Sequence, residues 1–341
     1  MDLYNGFVGL SNLGNTCFLN SCIQVLNHTY ELHEIVEKSI TNSNPDTTIL
    51  NEWNELRKVM WSGNGIVSPN RFVHNVHTIA RQKNRDIFTG WVQNDITEFL
   101  LFLMDCMHNS LSKKLKIRIN GNPENQTDKI AVACYDMLKT VYAKEYSEIM
   151  DVFYGIYVTT IVNPKTGAIH SIRPEQFFVL DLQIFLGDRV CPSIYECFDL
   201  FTSQESMSGE NAWYNESTGQ KEHIHRSTQF WNFPKVLVIT LKRFSPDGSQ
   251  KINNLIDFPL ENLDVSKYVI GYNAKSYMYD LFGVCNHIGG VSGGHYTAFA
   301  KHKSGQWAHY DDSNVEMIND PRQVVSPMAY CLFYRKKNTL S

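Results

Sequence analysis

An α+β fold is predicted for this chain of 341 residues because its hydrophobic period changes along its length. Through the first third, apolar residues recur at intervals of three and four, as one face of a helix requires. From Val152 onward they fall into short runs rich in valine, isoleucine, phenylalanine and tyrosine. Helices gathered ahead of strands, rather than alternating with them, argue against repeated βαβ units.

The first helix follows Cys17, the next runs across Ser68 to Arg81, and a third through Asp95 to Leu111, with Ser68-Pro69 and Asn94-Asp95 as starts. In the third, Ile96, Phe99, Leu100, Leu103, Cys106 and Met107 form one stripe, the mark of packing onto a neighbour. The polar stretch Asn120 to Asn125 reads as a surface loop before a helix extending to about Tyr146. Strands are expected over Val152 to Val162, Phe177 to Ile184, Lys235 to Phe244, Asp280 to His287, Tyr296 to His302 and Ala329 to Arg335. Asn163 to Gly167 reads as a hairpin turn, and Ser245-Pro246-Asp247-Gly248 marks another.

Hydrophobic residues at 43% and charged residues at 19% exclude collagen-like, coiled-coil and broadly disordered chains. The net charge of -4, with no long run of either sign, excludes an electrostatic nucleic-acid footprint. Apolar runs such as Val236 to Ile239 fall far short of the ~20 residues of a membrane span, so no membrane association is expected. Met1 to Asn5 lacks the basic start and apolar stretch of a secretory signal, which points to an intracellular protein, cytoplasmic or nuclear. The eight cysteines are scattered without any C-x-x-C pair and are expected to be reduced thiols. In such a compartment the glycosylation-like triplets at Asn27, Asn125 and Asn215 carry no meaning.

Two distant segments carry candidate chemistry. In Gly9-Leu10-Ser11-Asn12-Leu13-Gly14-Asn15-Thr16-Cys17-Phe18-Leu19-Asn20-Ser21 a cysteine opens a helix, where free backbone N–H groups and the helix dipole favour a thiolate and a developing oxyanion. In the second, a glycine-rich loop, Gly289 to Gly294, leads into a strand that begins His295-Tyr296. Two antiparallel strands joined at Ser304-Gly305 would bring His295 near Asp311. A cysteine protease needs an imidazole to take the thiol proton and a carboxylate or amide to orient the imidazole.

These segments resemble the Cys box and His box of the ubiquitin-specific proteases. Gln93-Asn94-Asp95-Ile96-Thr97-Glu98-Phe99-Leu100 resembles that family's Gln-Gln-Asp-Ala-x-Glu-Phe-Leu, and Pro234 to Phe244, ending Leu241-Lys242-Arg243-Phe244, resembles its Leu-Lys-Arg-Phe strand. The resemblance implies a papain-like fold with a mainly helical thumb (1–150), fingers (151–233) and a palm (234–341). It implies that Cys17 is the nucleophile, His295 the general base and Asp311 its orienting partner, with Asp312 a possible auxiliary. Asn12 would supply an amide to the oxyanion hole. Gln93, Asp95, Glu98, Gly293, Gly294 and Tyr296 would bind the ubiquitin tail, with Asp95 and Glu98 meeting its arginines. Gly289, Gly290, Gly293 and Gly294 would form a mobile flap beside a channel narrow enough to demand glycine.

The implied reaction is hydrolysis of the bond after ubiquitin's last glycine through an acyl-thioester on Cys17, with ubiquitin and ubiquitinated proteins as partners, no diffusible cofactor and a monomeric enzyme. The order cysteine, histidine, aspartate is papain-like, whereas caspases place histidine first. Two alternatives are an isopeptidase for a ubiquitin-like modifier and a catalytically weak ubiquitin-binding scaffold. The family's usual finger zinc is expected to be absent, because its two Cys-x-x-Cys pairs are here Asn163-Pro164-Lys165-Thr166 and Asn215-Glu216-Ser217-Thr218. His223 and His225 share a strand face without a thiolate partner. Sheet pairing and aromatic packing, involving Phe153, Tyr157 and Phe230, would then hold the fingers.

Overall fold

The helical period of the first third folds into α1 (Cys17–Leu26), α2 (Tyr30–Lys38), α3 (Thr47–Ser62), α4 (Asn70–Gln82), α5 (Ile96–Leu111), α6 (Gln126–Tyr142) and α7 (Glu148–Phe153). A short parallel pair, β1 (Val8–Leu10) with β2 (Gly65–Val67), lies among them. The structure is a computed structural model that describes residues 6–337 apart from 40, 64, 86, 89–91, 188 and 246. Met1 to Asn5, and Pro246 of the second expected turn, lie outside the described residues. Apolar stripes of the helices close one core around Leu26, Leu50, Trp53, Phe72, Phe99 and Leu103, all buried.

Strands follow: β3 (Gly155–Val162), β4 (Ile169–Phe177), β5 (Val179–Leu182), β6 (Phe185–Leu186) and β7 (Arg189–Val190). After helix α8 (Ile194–Phe201) come β8 (Glu205–Met207), β9 (Trp213–Asn215), β10 (Gln220–Glu222) and β11 (Ile224–Asn232). One four-stranded sheet runs β4-β3-β11-β8, and β9 with β10 forms a separate hairpin. The strand expected from Val152 starts only at Gly155, because Val152 and Phe153 complete α7. Two apolar residues have no period of their own to separate helix from strand. Phe153 therefore packs not in the fingers but in the helical core, edge-on to Phe178 at 5.9 Å. Tyr157 and Phe230 do belong to this sheet, and Tyr157 stacks on Phe177 at 5.9 Å.

The largest sheet adds β12 (Val236–Leu241), β13 (Leu263–Asp264), β14 (Met278–Gly290), β15 (Gly293–Lys301), β16 (Trp307–Asp311), β17 (Asn314–Ile318) and β18 (Ala329–Lys336). It has eight strands in the order β17-β16-β15-β14-β18-β12-β5, with β13 paired to β14. Strand β5 comes from the span assigned to the fingers and pairs in parallel with β12. Only Phe178, itself buried, separates β4 of one sheet from β5 of the other. Val236 and Val238 of β12 face the helical core while Leu237, Ile239 and Leu241 face a second core, so this strand is buried at every position, with Thr240 its one polar residue. Arg243 beyond it is fully buried. Its Nε donates to Ala329 O at 2.6 Å, and its Nη1 donates to Ile252 O and Asn254 O, each at 2.9 Å. Among the described residues no helix is long and apolar enough to cross a membrane.

One buried cluster gives the fold a pH dependence. His28 has 0% exposure, its Nδ1–H donates to Gln24 O at 2.9 Å, and its ring lies 5.7 Å from that of Tyr310. Burial, with smaller contributions from His302 and Arg335, lowers its pKa to about 4, and burial lowers that of His33 to about 3. The unfolded chain takes up these protons near pH 6.5 while the native state refuses them, so stability is lost as pH falls from about 6.5 toward 4. Thermal unfolding followed by circular dichroism is expected to show a falling midpoint across that window. His28→Gln should flatten the fall.

Candidate active site

Cys17 is the first residue of α1. The loop before it is folded around Asn12, whose Oδ1 accepts the N–H of Gly14 at 3.0 Å and of Thr16 at 3.2 Å. Gly14 and Asn15 take left-handed backbone angles, φ 105 and 52, to make this turn. Cys17 is 2% exposed. Burial raises its pKa most, the N–H of Tyr296 lowers it, the charge of Asp312 raises it, and the N–H groups of Phe18 and Cys17 itself lower it. The net direction is upward, so the helix N-terminus does not by itself yield a thiolate; desolvation outweighs the donors.

The N–H that lowers the thiol's pKa most belongs to the residue that follows His295. Antiparallel pairing of β15 with β16, through Ala298 with Tyr310, brings His295 Nε2 to 2.6 Å from Asp311 Oδ1. With Nε2–H donated to the carboxylate, Nδ1 is the basic nitrogen. Asp312, in a left-handed conformation at φ 49, binds the cysteine loop instead. Its Oδ2 accepts from Asn12 Nδ2 and its Oδ1 from Asn20 Nδ2, both at 2.8 Å. Its carbonyl accepts the N–H of Leu10, also at 2.8 Å. One hydrogen of the exposed Asn12 amide remains for a ligand.

A family model for ubiquitin carboxyl-terminal hydrolase matches residues 8–334. The chain belongs to the ubiquitin carboxyl-terminal hydrolase family. Human ubiquitin carboxyl-terminal hydrolase 2 is 32% identical over 343 residues, covering 96% of this chain and 55% of that protein. Usp2 of Drosophila melanogaster is 32% identical over 344 residues, covering 97% of this chain and 35% of that protein. Human ubiquitin carboxyl-terminal hydrolase 21 is 31% identical over 364 residues, covering 98% and 62%. The chain thus spans about half the length of the curated relatives it matches. Among solved structures, a SAGA module of Ubp8, Sgf11, Sus1 and Sgf73 bound to ubiquitin aldehyde has a TM-score of 0.73 at 24% identity, covering 99% of this chain and 71% of that one. The same module bound to monoubiquitin gives 0.74 at 24% identity, covering 99% and 71%. The fold is thus the α+β fold of ubiquitin-specific proteases.

Of the expected tail-binding residues in this ubiquitin carboxyl-terminal hydrolase, Asp95 and Glu98 line one cleft. Asp95 caps α5, with Oδ1 accepting the N–H of Thr97 at 2.8 Å and of Glu98 at 3.1 Å. Its Oδ2 accepts the hydroxyls of Tyr330 at 2.8 Å and Tyr296 at 3.4 Å. An incoming arginine would have to share a carboxylate that is already occupied. Glu98 is exposed, beside a cleft of about 530 Å³ that Asp95, Leu101, Tyr157, Phe178 and Tyr330 also line.

The glycine flap is corrected to a paired hairpin tip: β14 and β15 stay in register through Gly289 with Gly294 and Gly290 with Gly293. The glycines admit close approach of the protein's own groups. A Cβ on Gly294 would stand 2.3 Å from Ile288 O and 2.4 Å from His287 Nε2, and one on Gly293 would stand 2.7 Å from Gln93 Oε1.

Three further side chains hold the site. Tyr330 and Asn20 act through the bonds already described, and Lys251 Nζ donates to His287 O at 2.6 Å and Gly289 O at 3.3 Å. Asn20 sits within the Cys box, but nothing in a single sequence links Tyr330 to Asp95 or Lys251 to the hairpin.

In the turns expected to form the finger tips, Asn163 Oδ1 accepts the N–H groups of Lys165 and Thr166, at 2.9 and 3.2 Å. Asn215 Oδ1 accepts that of Ser217 at 3.0 Å. Asn215 Nδ2 and Thr218 Oγ1 both donate to Glu222 Oε1 at 2.8 Å. His223 and His225 bond to Ser206 and Gln204, at 2.9 and 2.7 Å.

Proposed function

We propose that this protein hydrolyses the peptide or isopeptide bond after the C-terminal glycine of ubiquitin, through an acyl-thioester on Cys17. The observation that supports this most is the bond of 2.6 Å between His295 and Asp311, on strands that pack against the helix Cys17 opens. His295 Nδ1 takes the Cys17 proton, and the sulfur attacks the glycine carbonyl carbon. The oxyanion is held by the remaining Asn12 amide hydrogen and by N–H groups at the start of α1. His295 returns the proton to the departing lysine amine, leaving the thioester. Water then attacks the thioester, its proton passing through His295, and the glycine carboxylate leaves with the Cys17 thiol restored. Asp311 holds the ring throughout. Asp312 serves as the auxiliary, through the cysteine loop.

The partners proposed are ubiquitin and ubiquitinated proteins. The enzyme acts as a monomer, since one chain supplies every group. It works inside the cell, in cytoplasm or nucleus, a setting that suits eight cysteines which are all free. We also propose fingers without zinc. Asparagine and threonine carboxamides and hydroxyls stand where thiolates would be needed, and they are bonded within their own turns. Elemental analysis of the purified protein is expected to give zinc at background.

Ubiquitin carrying a C-terminal thiol-reactive electrophile tests the reading. Intact mass should show one ubiquitin-sized adduct on the wild type and none on Cys17→Ala. Ubiquitin binding without an adduct would sink the enzyme reading in favour of a scaffold. Reaction only with an electrophile on a different modifier would replace ubiquitin as the substrate.

A further inference from the structure

The residues on either side of His295 are each gripped from the same segment of the opposite wall. Gln93 Nε2 donates to Gly294 O at 2.6 Å, and Gly294 N donates to Gln93 Oε1 at 2.9 Å. One side-chain amide thus engages both polar groups of a single residue, as a neighbouring strand would. Two residues further on, Asp95 accepts the hydroxyl of Tyr296 at 3.4 Å. The backbone N–H of the same Tyr296 lowers the pKa of the Cys17 thiol. From below, Lys251 holds the carbonyls of His287 and Gly289 on the facing strand.

We propose that Gln93 is a positioning residue: by clamping both polar groups of Gly294 from the entry of α5, it fixes where His295 stands relative to Cys17. The proposal rests on the catalytic reading above, and it changes the role of Gln93 from tail ligand to internal clamp. Residue 293 is at φ 143 with its missing Cβ facing Gln93 Oε1, so the hairpin tip is built around this contact. An unclamped Gly294 would gain rotational freedom one peptide away from the base, and proton transfer is sensitive to such displacement.

The test uses a reaction that needs no ubiquitin. Iodoacetamide alkylation of Cys17, followed by peptide-resolved mass spectrometry from pH 5 to 10, reports how readily His295 takes the thiol proton. For Gln93→Ala the rate at pH 7 is expected to fall about tenfold while the plateau at high pH is unchanged, two hydrogen bonds of ordinary strength being lost. Gln93→Glu keeps the acceptor for Gly294 N–H and loses the donor, so its profile should lie between. With a fluorogenic ubiquitin C-terminal amide, kcat should fall by a similar factor and KM by less than twofold.

An alkylation profile identical to wild type with a raised KM would return Gln93 to tail binding. Faster alkylation with a raised kcat would make the contact a latch rather than a clamp. Either result overturns the proposal. Absence of ubiquitin hydrolysis in the wild type would overturn the deubiquitinase reading alone, because the alkylation profile would still decide the role of Gln93.

Discussion

His295→Ala is expected to lower kcat on a fluorogenic ubiquitin amide by about 10³-fold or more while leaving ubiquitin affinity within a few-fold. In the proposed mechanism the imidazole takes up and releases a proton twice in each turnover, and among the described residues no other base is hydrogen-bonded to the pair. The Cys17 thiol is already disfavoured as an anion by burial, so without His295 almost none of it ionises at neutral pH. The side chains of His295 and Asp311 are 39% and 44% exposed, so neither supports the core and the variant should fold. Asp311→Asn separates orientation from charge. An amide oxygen can still accept Nε2–H, as in proteases that pair cysteine and histidine with asparagine, so the loss should be about tenfold or less. A loss from Asp311→Asn equal to that from His295→Ala would mean that the negative charge, not the ring's orientation, is what matters.

The largest expected effect on stability is at Arg243. Its guanidinium is wholly buried and makes three bonds to backbone carbonyls, of Ala329, Ile252 and Asn254. Burial lowers its pKa to about 10, still far above neutrality, so it enters the core as a cation. Arg243→Ala leaves three carbonyls without donors and opens a cavity, for a loss of about 3–5 kcal/mol. At ~2–4 °C per kcal/mol for a large domain, the unfolding midpoint should drop by roughly 6–20 °C in calorimetry. Arg243→Lys supplies one ammonium in place of a planar fork and should recover only part of it. A midpoint within 2 °C of wild type for the alanine variant would refute this assignment.

Much of the fold was legible because its signals are periodic. The stripe of α5 and the apolar run Val236 to Ile239 that opens β12 each carry their burial in the spacing of their residues. Cys17 at the start of α1 and the approach of His295 to Asp311 followed from motif and from strand pairing. What escaped was long-range or local competition. Val152 and Phe153 could suit either element, and tertiary packing on Phe178 put them in a helix. Nothing in the sequence says that the carboxylate of Asp95 is filled by Tyr330, more than two hundred residues away. Nor does a run of glycines distinguish a loose flap from a ladder that closes over His287 and Gln93.

The single residue between β4 and β5 has a mechanical consequence. The four-stranded sheet joins the eight-stranded sheet by two short crossings, Phe178 between β4 and β5 and Phe233 to Lys235 between β11 and β12, besides the longer path from β5 to β8 through α8. Neither short crossing is a slack tether. A push on the finger tips is therefore delivered to β12, the strand beside β18, as by a lever whose fulcrum is a buried aromatic ring. A foreign domain spliced into the Asn163–Gly167 turn would ride on the lever's free end, whereas one added residue at 178 would shift the fulcrum itself.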